Sequence, residues 1–308
     1  METIIRPRAP FDFKATARFL RYTESEVVDV ITDDVYRRAI HIGKHLRLLK
    51  IISRGTVSRP LLAVTVESKR DVSETDIATA ELLARRIFDT EHDLKKFRAR
   101  VAGDALMSKL EKAHRGLHIA RWPSLFEALS ISILSQQIST VVAMTLKRRM
   151  VQRFGEKLRS AGETFYAFPQ AESLRDVRVE ELRSLGLTTS KSISIIELAK
   201  RVSDGEFEES ALNHLENESL IEQLTRLRGI GRWTAEWALM LHFGRAGVFP
   251  AGDLALRGFV VKYYNDGREM TEREVRSLAA LRWGEWSSYA AVYFLAGMRA
   301  GIISLRKP

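Results

Sequence analysis

Leu227-Arg228-Gly229-Ile230-Gly231-Arg232-Trp233-Thr234-Ala235 decides how the rest of the chain is read. Helical spacing runs up to it over 217–227 and away from it over 232–243. Two glycines one residue apart let the backbone turn sharply and come close to a partner. Gly231 then opens a helix whose first N–H groups lack intrahelical acceptors and can take a phosphate oxygen. Arg226, Arg228 and Arg232 flank the turn. Two readings are open here. One is a helix–hairpin–helix that grips a phosphate without reading bases. The other is a plain corner between two helices with glycines at a helix end. A dinucleotide loop is excluded, because no strand precedes the segment and the third glycine is missing.

Outward from this turn the pattern is helical from about residue 92 onward. Helices are expected at 139–154, 191–203, 253–264, 272–281 and 286–300, with Gly or Pro in the connections and no strand pattern. Ser124-Leu125-Phe126-Glu127 reads as a capping box before an apolar run through Leu134. Before residue 92 the reading is mixed. Strands are expected at Ile4-Ile5, Val27–Ile31, Arg47–Ile52 and Leu61–Val66. Helices are expected from Phe11 to Tyr22 and, capped by Ser73 with Asp76, from Glu74 to Phe88. The fold class is therefore α+β: a small antiparallel-sheet N-terminal domain over residues 1–105, then an all-helical domain over 106–308.

Composition bounds the chemistry. The chain has 308 residues, 49 Lys plus Arg against 39 Asp plus Glu, and no Cys. Without cysteine there is no disulfide scaffold, thiolate zinc site, iron–sulfur cluster or cysteine nucleophile. No apolar run reaches the roughly 20 residues of a membrane span, and Met1–Arg6 lacks a signal-peptide core. These features point to a cytoplasmic protein with no membrane partner. The net charge of +10 points to an acidic partner, most often nucleic acid. Residues 1–110 hold 21 basic and 16 acidic side chains, and 111–308 hold 28 and 23, so any basic surface has to be assembled by folding. One candidate is Lys147-Arg148-Arg149 with Arg153, Lys157 and Arg159, which would either follow a DNA backbone or form a solvated face. His41/His45 and His114/His118 have i, i+4 spacing, but no third ligand is evident, so both read as surface pairs.

The hairpin and four further segments, in order along the chain, resemble the helix–hairpin–helix DNA glycosylase superfamily, and within it the 3-methyladenine DNA glycosylase II family. Ile133-Leu134-Ser135-Gln136-Gln137-Ile138-Ser139 is similar to the family's I-L-x-Q-x-[IV]-S helix end. Leu185-Gly186-Leu187-Thr188-Thr189-Ser190-Lys191 is similar to its L-G-[LF]-x-x-x-K turn. Val248-Phe249-Pro250-Ala251-Gly252-Asp253-Leu254 carries an Asp 22 residues beyond Gly231, where the family has its essential Asp. Trp283-Gly284-Glu285-Trp286-Ser287-Ser288-Tyr289-Ala290 resembles W-x-P-W-R-S-Y-A, with Glu285 and Ser287 replacing Pro and Arg.

The resemblance implies no cofactor and a substrate of double-stranded DNA carrying damaged bases, bound by a monomer associated with the nucleoid. It implies that Asp253 is catalytic, although an Asp before Leu254-Ala255-Leu256 is equally a helix N-cap. A fixed carboxylate can stabilise oxocarbenium character on the sugar and orient the attacking water. Bifunctional members carry a Lys after G-x-G-x; here Trp233 stands there, so water is the expected nucleophile. Trp233, Trp237 and Trp283 are the expected base pocket, where an aromatic face attracts a cationic alkylpurine; core packing is the alternative for each. Gly229, Gly231, Arg228, Arg232 and Thr234 are expected to hold DNA, with a monovalent cation on the hairpin backbone near Leu227 and Gly229. Gln136 and Gln137 are expected to fill the gap left by a flipped nucleotide, or else to be solvated side chains. The expected activity is hydrolytic release of 3-methyladenine and 7-methylguanine type bases. A glycosylase for hypoxanthine or an oxidised purine, or a non-catalytic DNA-binding protein, would share these features.

Overall fold

The computed structural model describes residues 2–21, 23, 24, 26–68 and 71–305. Met1 and Tyr22, which the sequence reading included, lie outside the described residues.

The first part is a five-stranded antiparallel sheet in the order β1-β5-β4-β3-β2. Its strands are β1 (Glu2–Ile5), β2 (Val30–Thr32), β3 (Val35–Ile42), β4 (His45–Ser53) and β5 (Leu62–Glu67). Helix α1 (Phe13–Leu20) lies between β1 and β2, and α2 (Glu74–Phe88) follows β5. The Ser73 hydroxyl accepts from Asp76 N, and the Asp76 carboxylate accepts from Ser73 N, which starts α2 with a full capping box. Ala80 and Ala84 let α2 approach the sheet closely, and Ile87 and Phe88 fill the space beside them. The Val27–Ile31 segment is strand only from Val30, and β3 was not expected at all. The alternation of β3 is interrupted by Arg37-Arg38, and Arg38 points inward with 2% exposure.

The helical part contains α3 (Leu94–Val101), α4 (Ala105–Ala113), α5 (Leu125–Ser135) and α6 (Thr140–Phe154). After a connecting hairpin come α7 (Val179–Ser184), α8 (Thr189–Ser203), α9 (Glu209–Asn213) and α10 (Asn217–Thr225). The last four are α11 (Arg232–Leu241), α12 (Leu254–Tyr264), α13 (Glu272–Trp283) and α14 (Ser287–Arg299). This part is not all helical. A two-stranded hairpin, β6 (Lys157–Ser160) and β7 (Glu163–Tyr166), follows α6. Its turn needs positive φ at Ala161 (48°) and Gly162 (84°). Four-residue strands with charged ends give too little alternation to be read as strands. Phe165 and Ala167 pack on Ala39 and Leu48, so the hairpin covers the sheet face opposite α2.

A buried ionic cluster also ties the two parts together. Arg38 on β3 pairs with Asp29 at 2.7 Å and with Glu127 on α5. Lys147 on α6 bonds Glu26 at 2.9 Å and is 2% exposed. Lys147 is therefore neither a DNA contact nor a solvated residue. Arg149 beside it donates to the Leu185 carbonyl at 2.9 Å. Glu127 does not complete a capping box, because its carboxylate is taken by Arg38; Ser124 alone caps α5. Burial would raise the Asp29 carboxyl, but Arg38 and Lys147 hold it below its ordinary value. His118 is not a surface residue either: it is fully buried, with its ring between the carbonyls of Asp89 (2.8 Å) and Pro10 (3.1 Å). His41 and His45 lie on adjacent strands, and His41 bonds Glu156 at 2.8 Å. Among the described residues, no helix is long and apolar enough to cross a membrane.

Candidate active site

The glycine turn joins α10 to α11 and is a helix–hairpin–helix. Gly229 has φ +77°, and a Cβ there would overlap the Ser194 side chain, so only glycine fits. Gly231 is different. Its φ is −91°, no side chain caps α11 at this point, and a Cβ would meet nothing within 4 Å. Open space therefore faces the uncapped N–H groups at the start of α11, an arrangement suited to an anion.

The side chains around the turn are less free than the sequence suggests. Arg232 holds Glu218 through both terminal nitrogens, at 2.9 and 2.6 Å, and Glu236 through Nε at 3.0 Å. Glu236 is 1% exposed and also accepts from Arg276 at 2.7 Å. Arg232 is thus a brace between helices, with a side chain that stays 37% exposed. Arg228 is exposed and meets Glu197 at 3.3 Å. Thr234 is buried, and its hydroxyl accepts from Gln136 Nε2 at 3.0 Å, so it does not face DNA. Gln136 Nε2 also donates to the Gly229 carbonyl at 2.7 Å, which locks the end of α5 to the hairpin. The Leu227 carbonyl accepts from Ile230 N at 3.1 Å. The Leu227 and Gly229 carbonyls each accept one hydrogen bond, from Ile230 N and Gln136 Nε2, which leaves each a second lone pair of the kind a monovalent cation takes. Lys191 Nζ donates to the Leu134 and Gln136 carbonyls at 2.7 and 2.8 Å and so closes the C-terminus of α5. Gln137, next in the chain, is exposed in the left-handed region at φ 58°. The turn presents it outward from a braced corner.

A cavity of about 420 Å³ opens beside this corner. Trp233 and Trp237 line it, with ring centroids 6.3 Å apart and planes at 72°. The Trp237 indole N–H is buried without a partner among the described residues. Asp253 also lines the cavity. It caps α12, with Oδ1 accepting from Ala255 N (3.0 Å) and Leu256 N (3.1 Å). One carboxylate oxygen is thus fixed by two backbone donors, while Oδ2 meets no protein partner among the described residues. The N-cap reading of Asp253 therefore holds, and the cap also fixes the carboxylate in the cavity wall.

Trp283 does not reach this cavity. It is 1% exposed, stacks on Phe249 at 5.6 Å, meets Tyr264 and Phe294 edge to face, and donates to Asp104 at 3.4 Å. The aromatic motif around it is a packing motif, and core burial is the correct reading. In its place the cavity is lined by Trp122, Ser132, Ser135, Leu295, Met298 and Arg299, none of them expected from the sequence. Ser132 and Ser135 had a signal: they sit three apart in a helix otherwise buried on every side, so they share a face. Both hydroxyls donate to backbone carbonyls four residues back, at 2.8 Å, which leaves their lone pairs available as acceptors.

With this geometry in view, the chain can be placed. It belongs to the HhH-GPD superfamily of base excision DNA repair proteins, whose profile matches residues 131–285. An AlkA N-terminal domain profile matches residues 4–124. The chain is 27% identical to DNA-3-methyladenine glycosylase of Bacillus subtilis over 92% of both sequences. It is 26% identical to DNA-3-methyladenine glycosylase 2 of Escherichia coli, over 92% of this chain and 93% of that one. The 3-methyladenine DNA-glycosylase structure from Archaeoglobus fulgidus superposes with a TM-score of 0.84 at 28% identity, covering 96% of this chain and 98% of that chain. The chain is a DNA N-glycosylase of base excision repair.

Proposed function

We propose that the protein is a monofunctional glycosylase that, as a monomer on nucleoid DNA, flips alkylated purines of the 3-methyladenine and 7-methylguanine type and releases them by hydrolysis. The observation that carries this reading is the Asp253 carboxylate, held by two N–H donors in the wall of a tryptophan-lined cavity. The names of the relatives support the same lesion class.

The chemistry follows from the residues. Alkylation at N3 or N7 makes the base cationic, so Trp faces attract it by about 0.5–2 kcal/mol each. The serine lone pairs and the Asp253 carboxylate put acceptors in the cavity wall, beside the Arg299 guanidinium. Breaking the N-glycosidic bond sends the electron pair to the base, which leaves neutral, and builds positive charge on the sugar. Asp253 stabilises that charge across the sugar and orients the water that adds to C1′; the water's proton passes to the carboxylate and on to solvent. The base is already activated, so no strong general acid is needed. No lysine lines the cavity among the described residues, which favours water over an amine as nucleophile. Gln137 enters the space left by the flipped nucleotide, and the open N–H groups after Gly231 hold a phosphate.

The deciding experiment is base release from single-lesion duplexes of 3-methyladenine, 7-methylguanine, hypoxanthine and 8-oxoguanine, wild type beside Asp253→Asn. Asn still caps the helix, so fold and DNA binding should survive while release is lost. Near-normal turnover by the variant would sink the mechanism. Preference for a neutral lesion would move the substrate class. Efficient trapping of a covalent adduct by borohydride would contradict the water nucleophile.

A further inference from the structure

Among the described residues, Trp122 is the one aromatic wall of the cavity that does not come from the hairpin helix. It lies in the connection between α4 and α5, inside the segment matched by the N-terminal domain profile. Its ring is 5% exposed, and it lines the same cavity as Trp233, Trp237 and Asp253.

The connection that delivers it is pinned at three points. Trp122 N donates to the Leu241 carbonyl, the last residue of α11, at 2.7 Å. The Trp122 carbonyl lies within hydrogen-bond reach of His242 Nδ1, at 3.1 Å. Leu125 N, three residues on, donates to Glu209 at 3.2 Å. His242 and Glu209 belong to one group: Glu209 lies 3.2 Å from His242 Nε2, and Arg86 on α2 approaches the same ring nitrogen at 2.9 Å and Glu209 at 3.3 Å. Burial alone would raise the Glu209 carboxyl. The hydrogen bond and charge of His242, with the Arg86 guanidinium, outweigh it and hold the group at about 2. An Arg from the N-terminal part, a buried His at the end of the hairpin helix and a Glu from α9 thus converge on the backbone around Trp122. Nothing in the hydrolysis step requires that convergence.

We propose that Trp122 is a specificity-determining residue that stacks on the extruded base, and that Arg86, His242 and Glu209 are positioning residues that hold its connection against α11. This deepens the glycosylase reading and rests on it. An indole has the most electron-rich face among the aromatic side chains, so a third Trp favours a cationic base over a neutral one of similar size. It also gives the N-terminal part a task in recognition: through Arg86 it braces the wall that Trp122 forms.

The test uses the full-length protein with duplexes carrying one 7-methylguanine, one hypoxanthine or one tetrahydrofuran abasic analogue. For Trp122→Ala and Trp122→Phe, the ratio of kcat/KM on 7-methylguanine to that on hypoxanthine is compared with wild type. The ratio should fall about tenfold in the Ala variant, and by less in Phe, which restores part of the ring. Affinity for the abasic analogue, which has no base to stack on, should stay within about twofold and shows that each variant is folded. Glu209→Gln should shift the ratio in the same direction by a smaller factor. An unchanged ratio in Trp122→Ala with abasic binding intact overturns the role of Trp122. Equal loss on both lesions and on the abasic analogue overturns it too, since it marks a purely structural residue; the Phe variant then separates packing from stacking. Absence of 7-methylguanine release by the wild type is a distinct failure, which falls on the proposed substrate and not on Trp122.

Discussion

The Gln136 side chain donates to the Gly229 carbonyl at 2.7 Å and to the Thr234 hydroxyl at 3.0 Å. The residue beside the exposed Gln137 is thus bonded to both sides of the glycine turn. Removing it as Gln136→Ala leaves a buried Thr234 hydroxyl without this donor and frees the corner from the hairpin. We expect about 1–2 kcal/mol of lost stability. We also expect weaker binding to an abasic duplex than in Gln137→Ala, which removes only the exposed side chain. Chemical denaturation and fluorescence anisotropy on both variants check this. A larger binding defect in Gln137→Ala would show that the corner works without its link to the hairpin.

The two hairpin glycines should separate in a mutant pair. Gly229→Ala forces a Cβ into Ser194 at positive φ, so it should lower the melting temperature by several degrees. Gly231→Ala introduces a methyl into open space at an ordinary backbone conformation. It should fold normally and lose DNA affinity, because the methyl stands where a phosphate approaches. Thermal melts beside binding isotherms read out both. Normal affinity in a folded Gly231→Ala protein would remove the phosphate from this turn.

The two arginines should also part. Arg228 is exposed and weakly paired, whereas Arg232 braces Glu218 and the buried Glu236. Arg228→Ala should lower the slope of log affinity against log salt by at most about 0.9, the value of one phosphate contact. Arg232→Ala should leave the slope unchanged and destabilise the protein, since Glu236 keeps only Arg276. A reduced slope for Arg232→Ala at wild-type stability would reverse this assignment.

Glu209 provides a pH signature. Its carboxyl sits at about 2 in the folded protein against an ordinary 4.5. A carboxyl depressed on folding stabilises the protein fully above its unfolded value, and that stabilisation is lost as pH falls toward the folded one. Glu209→Gln should therefore melt below wild type at about pH 6, and the gap should close between pH 4.5 and 2. Melting curves over that range measure it. A gap that stays constant with pH would mean that the His242 and Arg86 contacts do not hold the charge.

Some of this was legible from residue types alone. Gly229, with its forced φ, and Asp253, with its cap, are positions where backbone geometry dictates the residue, and such positions survive reading from sequence. The Ser73–Asp76 box did so for the same reason. What failed depends on tertiary direction. The charge of Lys147 reads as solvated or DNA-facing until its partner Glu26, from a distant segment, is seen. Glu127 matched the pattern for one partner and took another. Trp283 and Trp122 are both buried tryptophans, and no local pattern says which of them fronts a cavity. Four-residue strands such as β6 are too short for alternation to register.

The β6–β7 hairpin grows out of the helical part and seals the outer face of the N-terminal sheet, while the main core runs from Ile5 on β1 to Ile303 beyond α14. The boundary visible in the sequence is thus no joint. A scaffold knitted in this way has no jaw with which to close on a duplex. The geometric adjustment needed to bring a base into the cavity falls to the nucleic acid, through bending and unstacking, whose cost is lowest where pairing is already weakened. Under the proposed function, the search for damage is then a mechanical survey in which each stretch of DNA is tested for how readily it yields.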